Sequence, residues 1–472
     1  MPPGRHPDAP GGRRHQATAN PPLPQRHLEP DVTTTPPDWE TRVLDEIERT
    51  RDELLTLAGD LIRIPSENPP GDCTDVGLFI ADHLRAQGLD PEVHDAGDGR
   101  LSIVVHRAAS NAAVDDDPTS ARHLVLAGHT DVVPVGDLDR WTFPPFAGDI
   151  VDGYLRGRGA SDMKAGLAGV IHTLVVLHRL GVPLAGKLSL AAVPDEEQGG
   201  SRGADWLLDR GVLDGATGAI IAEPAERTHP TIGQKGSNWF RMTIDGRPGH
   251  GSLQPLHGVN ANLLAAKAVI ALQQLWDMKP SPPEDVVDLI ERSKTFAEER
   301  EGYGPGIGAV FEHVTVNIGT IHGGTSSNVV ADRCVVDVDT RVPIGLSRAE
   351  VLARVEELLA EAGVEATIEP TGFRSEPNWT LPSDPVVTEL VAALRELTGD
   401  PTAEGVLQWA SSDARTFRSH GIPVLQYGPA ELATIHGFDE RAPVADVVLA
   451  AKTYALTTLR YLGVADTAVE SE

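Results

Sequence analysis

Several histidines and carboxylates in this chain lie at or near the ends of strand-like segments, where their side chains can meet around a metal ion. They occur in GHTDVVP, GRGASDMKAG, VPDEEQGG, AEP and ATIHGFDE, and they are His129, Asp162, Glu196, Glu197, Glu223 and His436. Imidazole nitrogens and carboxylate oxygens bind zinc-like cations, and a carboxylate that is not a ligand can take a proton from water. Asp131, two residues after His129, is placed to fix the tautomer of that imidazole. The set predicts a hydrolytic metal site, with one residue of the Glu196–Glu197 pair as ligand and the other as general base.

Each of these residues, taken alone, also fits an ordinary structural role. A single histidine is more often structural or solvent-exposed than a ligand, and Asp162, in a turn before a helical stretch, is typical of a helix N-cap. The adjacent carboxylates of Glu196 and Glu197 are typical of a solvated face. The metal-site interpretation therefore rests on the whole ordered set of residues.

Alternating strands and helices are predicted to position these side chains. The strand-like segments LSIVVH, HLVLAGH, KLSLAAVPD and GAIIAEP are separated by helical stretches over residues 164–180 and 201–208, and an opening helix is predicted over residues 38–64, with Asp38 as its cap. The last three strands carry His129, the Glu196–Glu197 pair and Glu223 at or just beyond their carboxyl ends. Open α/β sheets build their sites at this edge.

The second half of the chain predicts a smaller unit inserted into the α/β domain. From Gly236 the pattern is strand, helix, two strands, helix and strand, which is typical of a split βαβ unit, and αβ alternation resumes beyond Pro382. We therefore predict a mixed-sheet α/β domain over residues 38–235 and 377–472, with an α+β lid over residues 236–376. Residues 279–313 are predicted to form an extra loop or short helix within the lid, and residues 1–37 a disordered tail.

Composition points to a small-molecule partner. The 472 residues carry a formal net charge of −29, which argues against a nucleic-acid or anionic-membrane surface. No apolar stretch approaches the roughly 20 residues of a membrane span, and the first residues lack the apolar segment of a secretory signal. The two cysteines, Cys73 and Cys334, exclude a disulfide framework and fit a reducing cytoplasm.

The ordered motifs resemble a known group of metallohydrolases from about Asp38 onward. This is the family of acetylornithine deacetylase, succinyl-diaminopimelate desuccinylase, aminoacylase and glutamate carboxypeptidase. The resemblance implies a zinc-peptidase-like catalytic domain, two divalent ions, and a cis peptide bond after Asp162. It also implies the following roles: His129 and Glu223 hold one ion, Glu197 and His436 hold the other, Asp162 bridges them, and Glu196 is the general acid and base. Zinc is the metal expected by default, and cobalt or manganese suits the same ligands.

The same resemblance assigns roles to residues of the lid. It implies a ferredoxin-like lid that forms a homodimer, in which His250 of GRPGHGS reaches across the interface to stabilise the oxyanion. Asn328 and Arg341 match positions that bind the carboxylate of the substrate. For these three residues the ordinary alternatives are a surface histidine, a turn-forming asparagine and a solvated arginine.

The resemblance leaves the substrate open within one class. The leading prediction is hydrolysis of an N-acyl amino acid, and the alternatives are a dipeptidase or carboxypeptidase and a catalytically inactive relative that only binds metal or ligand. Trp409 and Ala410 stand where desuccinylases carry a glycine-rich GGTSD-type loop, which puts a desuccinylase substrate in doubt. Glu223, where many dipeptidases have Asp, favours the deacylases, and Arg415 is either a further carboxylate-binding candidate or a surface arginine.

Overall fold

Helices and strands alternate along most of the chain in the computed structural model, which describes residues 38–110, 122–300 and 304–465. The predicted disordered tail lies outside these ranges. In chain order the helices are α1 (Trp39–Arg49), α2 (Arg51–Arg63), α3 (Thr74–Ala86), α4 (Ala165–Arg179), α5 (Ala204–Asp209), α6 (Ala261–Leu272), α7 (Glu284–Glu299), α8 (Arg348–Glu361), α9 (Pro385–Thr398), α10 (Ala414–Ser419) and α11 (Val444–Leu462). The strands are β1 (Glu92–Asp95), β2 (Leu101–Arg107), β3 (His123–His129), β4 (Asp149–Val151), β5 (Tyr154–Arg156), β6 (Lys187–Val193), β7 (Gly218–Ile221), β8 (Thr231–Gln234), β9 (Gly236–Asp245), β10 (Thr315–Gly323), β11 (Arg333–Val342), β12 (Thr367–Ser375), β13 (Asn378–Trp379), β14 (Val406–Gln408), β15 (Val424–Gln426) and β16 (Arg441–Pro443).

A large mixed sheet forms the centre of the fold and confirms the predicted α/β class. Its strand order is β1-β2-β6-β3-β7-β15-β8-β13, and β14 pairs with β8. β3 lies between β6 and β7 and is parallel to both, so that His129 pairs in register with Val193. These three strands are apolar along almost their whole length because helices cover both faces of a parallel sheet. Their carboxyl ends consequently meet at one edge.

The segment before α4 and α4 itself form the one helical stretch among the described residues that is both long and apolar enough to span a membrane. By length and composition alone, Ala160–Arg179 would suffice to cross a membrane. However, 94% of an apolar 18-residue part of this stretch is buried inside the protein. The helix packs against α2 and α11 on the large sheet. It is therefore a core helix. It also fixes the position of the preceding turn, which carries Asp162.

The predicted single opening helix is wrong, because the chain forms two helices that meet at Thr50. The backbone of Thr50 leaves the helical region, with φ −104° and ψ 20°. Its hydroxyl donates to the carbonyl of Glu46 and also contacts Nε2 of the buried His172 at 2.9 Å. The predicted cap is present, since the side chain of Asp38 accepts a hydrogen bond from the amide of Thr41.

A second, smaller sheet has a core of its own. Its order is β10-β11-β9-β12 with antiparallel pairing throughout, and α6 and α8 pack on it. Apolar side chains of these strands and helices form a cluster separate from the larger core. This arrangement matches the predicted α+β lid. The residue boundaries of the domains stay a prediction.

We call residues 279–313 the insertion; its described part, residues 279–300 and 304–313, differs from the loop or short helix that was predicted. It contains the 16-residue helix α7. Val286, Leu289, Ile290 and Ala297 are buried in the larger core and not in the core of the small sheet. The turn signals and acidic residues of the insertion predicted a loop or a short helix. The longer helix forms because packing against distant residues stabilises it.

Candidate metal centre

The carboxyl ends of the three parallel strands bring the predicted ligands to one edge of the large sheet. His129 ends β3, Glu223 follows β7, and Glu197 follows β6 in a short turn. Asp162 comes from the turn before α4, and His436 comes from the loop before β16. Gly159 opens the Asp162 turn with φ +86°, and a Cβ there would meet Val132 at 2.7 Å.

The carboxylate of Asp162 lies between the two imidazoles. Its Oδ1 is 3.1 Å from Nε2 of His129, and its Oδ2 is 3.2 Å from Nε2 of His436. Glu223 Oε1 is 3.8 Å from the His129 nitrogen, and Glu197 Oε2 is 3.4 Å from the His436 nitrogen. The ligand atoms therefore form two groups that share Asp162. Within each group, all ligand atoms lie within 4.8 Å of one another. The peptide bond from Asp162 to Met163 is cis, as the resemblance implied.

A backbone hydrogen bond sets the tautomer of His129. Nδ1 lies 2.9 Å from the carbonyl oxygen of Asp131, which can only accept, so Nδ1 carries a proton and Nε2 is the nitrogen that faces Asp162 and Glu223. The Asp131 carboxylate lies farther from that nitrogen, at 3.5 Å. It accepts hydrogen bonds from the amides of Glu196 and Glu197 and from the side chain of Asn68. Asp131 therefore also orients the turn that carries both glutamates.

Burial and close charged neighbours shift the pKa values of the groups at the centre. Burial raises the pKa of Glu223 to about 7. Burial and the nearby Glu223 carboxylate raise the pKa of Glu196 well above its usual range. Hydrogen bonds to Asp162 and Glu197 raise the pKa of His436 to about 11. Three carboxylates and two imidazoles this close together fit divalent cations.

Glu196 stands apart from both groups of ligand atoms. It lines the same pocket, and its Oε1 lies 4.0 Å from Nη1 of Arg415. A partly buried carboxyl group with a raised pKa, not needed as a ligand, suits general acid and base work. The role of Glu196 in catalysis stays a prediction.

The centre opens into a pocket of about 590 Å³, which we call the metal pocket. Arg341 and Arg415 line it, together with Trp239 and Trp409. His250 and Asn328 are exposed, and neither is among the lining residues of this pocket in the described part of the chain. The backbone segments that carry His250 and Asn328 are hydrogen-bonded to each other, because the amide of Gly251 donates to the carbonyl of Asn328 at 2.8 Å. The structure thus places Arg341 and Arg415 along the wall of the metal pocket, and it places His250 and Asn328 outside this pocket.

Sequence reasoning missed Glu440, which anchors the Asp162 turn. One carboxylate oxygen, Oε1, accepts hydrogen bonds from the amides of Gly159, Ser161 and Asp162 at 3.1, 2.9 and 3.0 Å. The other oxygen pairs with Arg158, and both side chains are buried, at 0% and 2% exposure. Glu440 lies four residues after His436 in HGFDE, and an acid so close to a ligand was the available signal. Glu440 therefore connects the segment that carries His436 to the turn that carries Asp162.

Replacement of Glu440 by glutamine is expected to weaken Zn²⁺ binding by roughly 10–100-fold, because the turn that aims Asp162 loses a charged acceptor. The free energy of unfolding should fall by about 3–5 kcal/mol, since Arg158 loses its buried partner. Calorimetric titration with Zn²⁺ and urea unfolding of the metal-free protein measure the two effects. Glu431→Gln is the control, because its pair with Arg441 is partly exposed. A folded Glu440→Gln variant with undiminished zinc affinity would contradict the anchoring role.

Comparisons with known proteins agree with this geometry. The model of the peptidase family M20/M25/M40 matches residues 125–460. The chain is 30% identical over 429 residues to a succinyl-diaminopimelate desuccinylase of Bradyrhizobium sp. strain ORS 278, covering 87% of this chain and 99% of the relative. It is 25% identical over 431 residues to an N-formyl-4-amino-5-aminomethyl-2-methylpyrimidine deformylase of Halalkalibacterium halodurans, covering 87% and 95%. A metallo-carboxypeptidase of the M20 family from Sulfolobus solfataricus superposes with a TM-score of 0.71 at 20% identity, covering 87% of this chain and 99% of that one.

Proposed function

This chain belongs to the peptidase family M20/M25/M40, a family of metal-dependent hydrolases of amide and peptide bonds, and from that membership we propose that it removes the acyl group of an N-acyl amino acid. The single observation that carries the proposal is the carboxylate of Asp162, which lies between the Nε2 atoms of His129 and His436. Desuccinylase and deformylase relatives, which by their names remove acyl groups, support an acyl amide as substrate.

Two divalent cations are proposed to occupy the centre. His129 and Glu223 would hold one, Glu197 and His436 the other, and Asp162 both, since the ligand atoms form two groups with Asp162 in common. Zinc is proposed, with cobalt or manganese as alternatives that the same nitrogen and oxygen ligands accept. When bound, such cations supply Lewis acidity at neutral pH.

The residues of the chain itself would move the proton and hold the substrate. Glu196 Oε takes a proton from the attacking water and returns it to the leaving amine nitrogen, from a position on the wall of the metal pocket. Arg341 and Arg415 line the metal pocket and would orient a substrate carboxylate by charge-assisted hydrogen bonds. Asn328 would join them only if the lid moves, because it lies outside the pocket.

A homodimer is proposed to form through the exposed surface of the small-sheet unit, on helix α6 and strand β10. Leu263 and Ile270 on α6 are 60% and 72% exposed, and Ile321 lies exposed on β10, the edge strand of that sheet. Apolar side chains beside an unpaired strand edge suit contact with a second copy of this chain. Such a contact would let His250, exposed on the same unit, act in the pocket of the partner subunit.

Replacement of Ile270 by aspartate is expected to convert a dimer to monomers, because it places a charge in the apolar part of the proposed interface. Sedimentation velocity at matched protein concentrations measures the species. Val287→Asp, at an exposed apolar position on α7, is the control and should leave the oligomeric state as it is. A wild-type protein that sediments as a monomer would contradict the proposed dimer.

The alternative reaction is that of a dipeptidase or carboxypeptidase, which the same centre supports. The structural likeness to a metallo-carboxypeptidase makes this the second candidate. An inactive relative that only binds metal or ligand is the remaining alternative, and the presence of Glu196 beside all five ligand candidates argues against it. A cytoplasmic location is also proposed, since both cysteines are free and buried.

The test of the proposed function is turnover by the zinc-loaded protein on matched panels of N-acyl amino acids and dipeptides. We expect the highest kcat/KM on an acyl amino acid. A higher kcat/KM on dipeptides would favour the alternative reaction, and no turnover on either panel by a protein that binds zinc would favour the inactive relative.

A further inference from the structure

A second cavity, of about 380 Å³, adjoins the metal pocket, and we call it the insertion cavity. Arg341, Trp409 and Ala410 line both spaces, so the two cavities meet at these three side chains. Ile307 and Val310, from the insertion, form the wall on the far side. A group that extends from the metal centre past Trp409 would enter the insertion cavity.

The insertion is fixed firmly enough to form a wall. Ser293 Oγ accepts a hydrogen bond from the amide of Leu407 in β14 at 2.8 Å, and Arg292 pairs with Glu404 at 2.9 Å. The ring of Phe311 lies 6.2 Å from the ring of Trp409, centroid to centroid. The wall is therefore attached to the strand that leads into Trp409, and both sides of the cavity belong to one packed unit.

The cationic groups at the cavity already have oxygen partners. Lys235 Nζ donates to the carbonyls of Val310 and His313 at 2.6 and 2.8 Å, and lies 3.3 Å from Oγ1 of Thr315. Arg341 donates through Nε and Nη2 to the carboxylate of Asp339. The remaining surface of the cavity is mostly carbon. With Lys235 paired in this way, the part of the cavity beyond Arg341 offers little to a carboxylate, whereas an apolar group there would exchange water for apolar contact.

Resting on the proposed function, we propose that the insertion cavity binds an apolar substituent, aliphatic or aromatic, of the amide substrate. The cavity volume lies within the roughly 300–1,000 Å³ that small-molecule sites occupy. The substituent passes the Trp409 ring while the scissile bond lies in the metal pocket. Substrates with a long alkyl or an aryl group on one side of the amide are thus preferred over substrates whose groups on that side are short, and the insertion sets this preference.

Two substrate series test the proposal and identify which side of the amide enters the cavity. One series lengthens the acyl group from acetyl to decanoyl on a fixed amino acid, and the other lengthens the amino-acid side chain from alanine to norleucine and phenylalanine under a fixed acetyl group. With the zinc-loaded protein, kcat/KM should rise by roughly fourfold per added methylene in one series, until the cavity is full.

Val310→Trp fills the cavity, and in this variant the ratio of kcat/KM between the longest and shortest substrates should fall toward one. Ile307→Trp fills it from a second position and gives the same test if the first variant does not fold. Val287→Trp, at a 41% exposed position on α7, is the matched control and should keep the wild-type ratio.

The outcomes separate this proposal from the proposed function. Turnover without any rise in either series, or a wild-type ratio in a folded Val310→Trp or Ile307→Trp variant, would overturn the insertion cavity as a substrate site and leave the hydrolase standing. Absence of turnover on every substrate of both series would overturn both proposals.

Discussion

Replacement of Glu196 by glutamine should lower kcat by about 10²–10⁴-fold, the usual contribution of a positioned general acid and base. Glutamine keeps the shape of the side chain but cannot accept the proton of the attacking water. Glu196 belongs to neither group of ligand atoms, so the variant should bind as much zinc as the wild type. Steady-state kinetics on the best substrate and elemental analysis of the dialysed protein measure the two quantities.

The control for this variant is Glu356→Gln, which changes an exposed glutamate on α8 in the same way. Its kcat should match that of the wild type. If Glu196→Gln turned over substrate at the wild-type rate, Glu196 would not be the base, and another acid in the metal pocket would have to be sought. A variant that lost zinc together with activity would identify Glu196 as a ligand instead.

Replacement of Asp162 by asparagine should remove at least one of the two proposed ions and lower activity by more than about 100-fold, the upper end of what loss of a supporting contact costs. Each carboxylate oxygen of Asp162 faces a different imidazole, and asparagine offers only one acceptor oxygen. Zinc content per chain, determined by elemental analysis after dialysis, is the primary measurement, and kcat/KM is the second.

Asp139→Asn is the matched control, since Asp139 is exposed and in neither group of ligand atoms. It should retain both ions and full activity. An Asp162→Asn variant that kept two tightly bound ions would refute the bridging role, whatever its activity.

Local patterns were sufficient to predict the elements that carry the ligands. The apolar run that ends at His129 forms β3, and the predicted strand GAIIAEP contains β7, Gly218–Ile221, which leads to Glu223. Both predictions depend on periodicity and on residues close in sequence. The family resemblance, inferred from the ordered motifs, is confirmed by the family match over residues 125–460.

Features that depend on long-range contacts were not predicted. Glu440 contacts the turn at residues 159–162 only because the chain returns there 278 residues after Asp162. Trp239 lies in β9 of the small sheet, and nothing near it in sequence indicates that it lines the metal pocket. Helix α7 is stabilised by packing on the larger core, although its own sequence is interrupted by acidic residues.

The most direct test of the central claim is anomalous diffraction from crystals of the protein grown with zinc. We expect two anomalous peaks roughly 3.5–4 Å apart, the usual separation of paired catalytic metals. One peak should contact His129 and Glu223, the other Glu197 and His436, and both should contact Asp162. A single peak, or zinc bound away from Asp162 while these side chains stay unliganded, would contradict the paired-metal centre and the hydrolytic function that depends on it.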